Sequence, residues 1–313
     1  MKIRKQEYKK RFLSRNSWFS FVSTLLLPAA LIVCAVACTE GTLDNPPTEG
    51  RVVIHASWNS ASPPATGLRF YFYPLSGGSA LTYDAASTGF EGNLPAGSYR
   101  VIACSTDASR AVYEGMESYS TASVTAVTTT DSRSLSYYAQ PSGVYALHIS
   151  ELRVPLQDVV ETSSVPDTLS RRVNLSFLLL GGESLSSLSG LMRGIQPTVL
   201  IATKTYRGEA GVTSFTASVS GNRATARVGV LGLLDPLGNL PYRNLMDLTL
   251  TLKDGSVQTT EVDLTRLLSE VLKANGGTIP LELPVEVELR LIDAQLVASV
   301  KPWQSGSGEG GVK

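Results

Sequence analysis

Residues 168–180 read TLSRRVNLSFLLL, and this stretch indicates the fold class. From Arg172 onward, apolar and polar side chains alternate, which is the period of a β-strand with one face on a core. The stretch VEVELRL at residues 285–291 repeats the alternation near the other end of the chain. The side chains predicted to point inward from the first stretch are Val173, Leu175, Phe177 and Leu179.

The first half of the chain also reads as a series of short strands. Strands are predicted at 51–58, 68–73, 80–83, 99–104, 111–113, 120–127 and 145–154. Turn residues such as Ser76-Gly77-Gly78-Ser79 separate them at intervals of about 8–12 residues, which is typical of a β-sandwich. No long helical period occurs before Ser150.

The second half adds strands and two candidate helices. Strands are predicted at 198–205, 213–220, 224–231, 247–253, 257–262 and 295–303. Residues 263–276 have one apolar stripe, with Asp263 as a candidate N-cap and Asn275-Gly276 as a stop. Residues 183–195 place leucines at helical spacing, although Gly190 and Gly194 weaken this interpretation. The predicted fold class is therefore all-β, with two tandem β-sandwich domains and one or two short helices in the second.

The predicted domain organisation follows the composition. It comprises a signal peptide at 1–37, a flexible tether at 38–50, an N-terminal sandwich at 51–145, a C-terminal sandwich at 146–304 and a flexible tail at 305–313. The tether is polar and contains Pro46-Pro47, so it cannot form a core. Residues 155–167 are polar and contain two prolines, which fits either a loop of the second domain or a linker.

The amino terminus has the pattern of a secretory signal. Seven basic residues and one acidic residue precede an apolar segment, which ends in small residues before Cys38. This resembles a bacterial lipoprotein signal, which implies cleavage before Cys38 and acylation of its thiol and new amino group. Ala35 departs from that pattern, where leucine is more usual, and Cys34 is a poorer candidate because bulky Val33 precedes it. The alternative is an uncleaved transmembrane anchor, because about 20 apolar residues can span a bilayer.

Charge and cysteine content narrow the possible functions. The chain has 27 basic and 27 acidic residues, and removal of the leader leaves 20 and 26, a net charge of −6. This balance argues against a nucleic-acid partner, which requires a basic face. Cys104 would then be the single cysteine without acylation, so no internal disulfide is expected. Its strand pattern places it on the same face as Ile102, where it is predicted to be a core residue.

Residue patterns for chemistry are sparse. His55 and His148 lack the spacing of a zinc site, and there is no CxxC, GxSxG or P-loop motif. We therefore predict no catalytic, cofactor or metal site, although the many carboxylates leave a hydrolase open. Tyr71 and Tyr73 are candidate ligand-facing aromatics for a carbohydrate. The alternative is that Phe70 and Phe72 face the core while both tyrosines cover the outer face of the sheet.

Three segments in order carry a family resemblance. They are VVIHASW at 52–58, GLRFYFYP at 67–74 and LPAGSYRVI at 94–102, and the closing VKPW at 300–303 adds to them. Together they resemble the Bacteroides-type surface lipoproteins of the fimbrillin and minor-fimbrium anchor families. The resemblance covers the first domain well and the second only by its strand-rich character. It implies transthyretin-like, Greek-key sandwiches, no cofactor and no enzymatic activity.

The same resemblance implies a role and a location. We expect an outer-membrane lipoprotein, anchored through lipid on Cys38, that serves as an anchor or accessory subunit of a fimbria-like adhesive structure. Its partners would be other fimbrial subunits, joined by strand addition at exposed sheet edges. A stalk subunit would instead lose its N-terminal segment by proteolysis, and Arg51 is a candidate processing site. The alternative function is a surface glycan-binding lipoprotein of a nutrient-uptake system.

Overall fold

The computed structural model describes residues 48–59, 63–130, 134–234, 243–277, 279–293 and 295–302. The strands of the first half are β1 (Glu49–Ala56), β2 (Leu68–Pro74), β3 (Leu81–Ala85), β4 (Gly89–Pro95), β5 (Gly97–Ser105), β6 (Ala111–Glu114), β7 (Ser123–Ala126), β8 (Thr128–Thr130), β9 (Ser136–Tyr138), β10 (Tyr145–Val154), β11 (Val159–Ser164) and β12 (Asp167–Thr168). The predicted leader and tail lie outside the described residues.

The second half continues with strands and one described helix. These are β13 (Arg171–Leu180), β14 (Leu185–Gln196), β15 (Thr198–Leu200), β16 (Tyr206–Arg207), β17 (Gly211–Thr216), β18 (Ser218–Ser220), β19 (Arg223–Val230), β20 (Gly232–Leu233), β21 (Leu245–Leu252), β22 (Val257–Asp263), α1 (Thr265–Ala274), β23 (Glu282–Ile292) and β24 (Gln295–Val300). The all-β class with β-sandwiches is confirmed.

Two sheets enclose the core of the first sandwich. One sheet has the order β11-β1-β4, and the other has the order β12-β10-β5-β2-β3. β1 is parallel to β11 and antiparallel to β4. Between the sheets, the rings of Phe70, Phe72 and Phe90 pack together, with centroid distances of 4.9–6.2 Å. These three rings are almost fully buried, so they form the centre of this core.

The second sandwich is built on β13, the strand that the alternation within residues 168–180 predicted. β13 lies in the middle of the sheet β18-β19-β13-β23-β24, and the opposing sheet has the order β17-β14-β21-β22. All four side chains predicted to point inward from β13 are at most 2% exposed. Phe177 is the largest of them, and it stacks on Phe215 of the opposing sheet at a centroid distance of 6.2 Å.

Helix α1 caps the second core as its apolar stripe predicted. Leu267, Leu268, Val271 and Leu272 are buried. The helix begins at Thr265, two residues later than predicted, and the Thr265 amide donates to Oδ1 of Asp263 at 2.8 Å. Asp263 therefore still satisfies an amide at the start of the helix, although Leu264 is the N-cap residue.

The helical interpretation of residues 183–195 is wrong, because this segment is the strand β14. Its register shifts between Leu185 and Ser187 and again between Arg193 and Ile195. Each bulge inserts one residue and changes which side chains face inward. Buried residues therefore recur at spacings of three at both ends of the strand, which imitates one face of a helix. Glycine at position 190 allows β14 to pack closely on β21, because a Cβ there would lie 2.7 Å from the Asp247 carbonyl oxygen.

A further sheet joins segments from the two halves of the chain. Its order is β16-β15-β7-β6, in which β7 pairs with β15 antiparallel. This sheet, called the bridging sheet below, helps to enclose a third core on the outer face of β5. Ile102 and Cys104 contribute to that core from the first half, and Val199, Ile201 and Leu231 contribute from the second. The two sandwiches therefore share buried apolar surface.

The strand pairing extends the first sandwich beyond residue 145, where the boundary between the two domains was predicted. β10 begins there and pairs with β5, and β11 then returns beside β1. The first pair of sheets consequently extends to Thr168, the last residue of β12. Residues 159–164, which were expected to lie in a loop or linker, form an edge strand of the first sandwich. Alternation within one segment cannot show which sheet the segment joins.

Candidate functional site

The predicted lipidation residue lies outside the described part of the structure. Cys38 and the leader fall within residues 1–47, so acylation stays a prediction. Among the helices within the described ranges, none has the length and apolar character needed to cross a membrane.

Tyr71 and Tyr73 lie on the opposite face of β2 from Phe70 and Phe72, as the second interpretation held. That face is covered by the third core, and Tyr73 is only 7% exposed. The Tyr73 hydroxyl donates to the Met116 carbonyl oxygen at 2.9 Å. Burial raises the pKa of both tyrosines. The prediction that Tyr73 faces a ligand is therefore corrected, and Tyr71 is half-buried beside it.

Arg51 lies inside the central strand of its sheet, which bears on the proposed processing site. Its amide donates to the Asp158 carbonyl oxygen at 3.0 Å. Its guanidinium pairs with Glu91 of the neighbouring strand β4. Protease active sites bind extended, accessible backbone, whereas β1 is hydrogen-bonded on both sides. The bond after Arg51 is therefore protected in this fold.

The histidines and Cys104 have ordinary structural environments. His55 Nε2 lies 2.8 Å from Glu161 Oε1 on an exposed sheet face. His148 is half-buried, and burial, followed by the charge of Lys204, lowers its pKa. Cys104 is 2% exposed, which confirms its prediction as a core residue, and burial raises its pKa. Among the described residues, no group of three or more His, Cys, Asp or Glu could hold a metal ion.

A feature suited to assembly is the last described strand, β24. It forms one edge of its five-stranded sheet and pairs only with β23 among the described strands. Its sequence, QLVASV, contains no charged residue and no proline. Val297 points outward and is 46% exposed. The residue pattern at 295–303 predicted a closing strand here. Its place at an edge depends on pairings between distant segments.

Uncharged edges of this kind are uncommon in proteins that stay monomeric. An edge strand carries unpaired N–H and C=O groups, and most proteins protect such edges with charges, proline or bulges. In β24 the nearest such features are Lys301 and Pro302, directly after the strand. β22 and α1 border the later part of β24, where Glu261, Asp263 and Arg266 line a groove of about 280 Å³ with it. The unpaired backbone groups of β24 can accept an extended segment through hydrogen bonds. This is the candidate functional site.

Sequence and fold comparisons agree with this architecture. Residues 38–162 match the family described as a domain of unknown function, DUF5119. The match spans the first sandwich as far as β11. No curated protein matches the chain.

Several solved structures share the fold. A candidate adhesin from Bacteroides ovatus is 20% identical, with a TM-score of 0.56, over 77% of this chain and 90% of that one. The fimbrial anchor protein Mfa2 from Porphyromonas gingivalis is 15% identical, with a TM-score of 0.52, over 82% and 98%. A candidate polysaccharide-binding protein from Bacteroides thetaiotaomicron is 12% identical, with the same TM-score and coverage.

At these identities, the similarity establishes a shared fold. The resemblance is confirmed: residues 38–162 match DUF5119, and the chain shares its fold with Bacteroides candidate adhesins and a fimbrial anchor protein.

Proposed function

We propose that this protein is an outer-membrane lipoprotein, acylated on Cys38, that acts as a non-enzymatic anchor or accessory subunit of a fimbria-like adhesive structure. The leader pattern supports the lipid anchor, because its small residues end directly at the cysteine. The fold shared with a fimbrial anchor protein supports the adhesive role.

The observation that carries the assembly role is the uncharged edge of β24. A partner strand placed beside it would extend the sheet β18-β19-β13-β23-β24 by one strand. Backbone hydrogen bonds would supply affinity, and the outward side chain of Val297 would contribute to specificity. The partner is another fimbrial subunit with an extended apolar segment.

The protected position of Arg51 favours an anchor over a stalk subunit. The family resemblance implies that stalk subunits lose an N-terminal segment by proteolysis. Here Val52 and Ile54, which follow Arg51 within β1, are buried in the first core. Retention of β1 would keep the chain connected to the lipid on Cys38.

Metabolic labelling with a fatty-acid analogue tests the anchor. We expect label on the wild-type protein, no label on Cys38→Ala, and label retained on the matched variant Cys34→Ala. Fractionation should place the labelled protein in the outer membrane, and protease treatment of intact cells should test surface exposure. Label that persists on Cys38→Ala would contradict the proposed anchor.

A charge placed on the edge strand tests the assembly role. Lysine at an edge disfavours strand addition, so Val297→Lys should recover less partner from cross-linked cells than wild type. Val165→Lys is the control, because Val165 is 53% exposed and lies in a loop between β11 and β12. Equal recovery by both variants would argue against β24 as the contact, and recovery of no subunit by any form would argue against assembly.

A further inference from the structure

A groove rich in arginine runs between the first and second halves of the chain. Its volume is about 510 Å³, and Arg110, Arg171, Arg172 and Arg227 line it. A second groove of about 860 Å³ continues from it across the outer face of the sheet β18-β19-β13-β23-β24, and the two share Arg172, Arg227 and Glu282. Together they form one open track, called the arginine track below.

The positive charge of this track is largely unpaired. Arg172 Nη1 lies 2.8 Å from Glu282 Oε1, and that carboxylate also accepts from Asn174. Glu286, the other carboxylate of the track, lies 3.2 Å from Lys301 Nζ. Within the described residues, the side chains of Arg110 and Arg227 have neither hydrogen-bond nor ionic partners. This concentration is unexpected in a chain with a net charge of −6 after its predicted leader.

Backbone hydrogen bonds hold the main chain at Arg110 in place. Arg110 has a left-handed backbone, with φ of 58°, which is uncommon for a residue with a side chain. Its neighbour Ser109 exchanges two backbone hydrogen bonds with Ser142, and the Val127 amide donates to the Arg110 carbonyl oxygen at 3.0 Å. A strained residue held by its surroundings is a recurrent feature of binding sites.

The floor of the track is a close packing contact between the segment around Pro141 and strand β19. Gly229 lies opposite Arg172 in the pairing of β13 with β19. A Cβ at Gly229 would lie 2.5 Å from the Pro141 carbonyl oxygen, so glycine allows the segment around Pro141 to pack onto the sheet. The Gln140 side chain fixes this segment, because its Nε2 donates to the Ser214 carbonyl oxygen at 2.6 Å. The floor of the track is therefore held in place by contacts within the protein itself.

The chemistry of the lining identifies a class of ligand. Guanidinium groups bind carboxylates and sulfates through paired hydrogen bonds. The hydroxyls of Ser109, Ser142, Thr168 and Ser170 add groups that can bond to sugar hydroxyls. Arginine clusters can also bind acidic peptides, but this track is open and lined with hydroxyls, which suits the many hydroxyl groups of a polysaccharide. We propose that the arginine track binds an acidic polysaccharide, one that carries carboxylate or sulfate groups.

This inference goes beyond the proposed anchoring role and does not depend on it. Binding of oligogalacturonate to the purified protein would be measured by calorimetry at low salt. The fully methyl-esterified oligosaccharide keeps the sugar backbone but lacks the charge. Dextran sulfate and dextran form the corresponding pair for sulfate, and polyglutamate is the acidic-peptide arm. We expect binding of at least one charged glycan, and little binding of its neutral counterpart or of polyglutamate.

Variants locate the binding on the protein. Arg110→Gln and Arg227→Gln should each weaken binding about tenfold, the value of one charge-assisted hydrogen bond. Arg153→Gln removes the same charge from an exposed strand position outside the track, and it should change affinity less than about twofold. The proposal would be overturned if neither charged glycan bound, or if the neutral forms bound as tightly as the charged ones. It would equally be overturned if the protein preferred polyglutamate, or if all three variants lost the same affinity.

Discussion

The bridging sheet predicts that the two sandwiches unfold together. Phe177→Ala in the second core provides the perturbation. Phe177 is fully buried and stacks on Phe215, so the substitution leaves a large cavity. Such truncations cost about 3–5 kcal/mol of unfolding free energy. For a protein of this size, the loss corresponds to a fall in Tm of roughly 6–20 °C.

The fluorescence of Trp58 monitors unfolding of the first sandwich, because Trp58 packs against the first core. Its Nε1 donates to the Ser87 carbonyl oxygen at 2.6 Å, and its ring meets Tyr145 edge-on at 5.3 Å. After leader removal, a Trp303→Phe background leaves Trp58 as the single tryptophan. If β7 and β15 couple the sandwiches, Phe177→Ala should lower the urea midpoint of Trp58 fluorescence as much as that of far-UV circular dichroism.

A reciprocal variant completes the test. Phe70→Ala removes a fully buried ring from the first core, and it should shift both signals together as well. A Trp58 midpoint that stays unchanged in Phe177→Ala, while the circular dichroism transition moves or splits, would refute the coupling. The sandwiches would then be independent folding units, despite their shared third core.

Three further predictions concern single residues. Limited trypsin digestion of the folded protein should leave the bond after Arg51 intact, because β1 is paired on both sides; early appearance of a chain that begins at Val52, detected by mass spectrometry, would contradict this. Cys104 should resist iodoacetamide until the protein unfolds, since it is buried and its pKa is raised, and peptide mapping of the native protein would expose any early modification. His148 has a lowered pKa in the folded state, so the unfolded chain binds its proton more readily and stability falls as pH drops below about 6.5. His148→Gln should therefore lose less stability than wild type between pH 7.5 and 5 in urea titrations, and an equal or greater loss would exclude this role for His148.

The local alternation of side chains predicted the centre of each sandwich correctly. In β13, the residues of one face are buried and those of the other are more exposed, as the pattern required. The same reasoning placed Phe70 and Phe72 in a core. These assignments succeeded because a strand with one buried face has a period of two, whatever its neighbours are.

Features that depend on distant segments were not predictable in this way. Tyr73 is buried because the bridging sheet helps to cover the outer face of β2 and β5, and that sheet combines strands from both halves. The arginine track likewise brings Arg110 beside Arg172 and Arg227, which are far apart in the sequence. No local motif marks either arrangement. The helix predicted over residues 183–195 was wrong for a different reason. The two bulges of β14 change the spacing of buried residues along the strand, so the spacing resembles that of a helix.

The bridging sheet would help the proposed anchor to resist a pulling force. The lipid on Cys38 would precede β1 of the first sandwich in the chain, whereas the edge strand β24 belongs to the second sandwich. A pull between membrane and fibre would therefore cross from one sandwich to the other. A single covalent connection near Leu169 would allow the sandwiches to separate under such a pull. The β7–β15 pairing and the shared apolar core add contacts that must break together, so the two bodies resist separation as one unit.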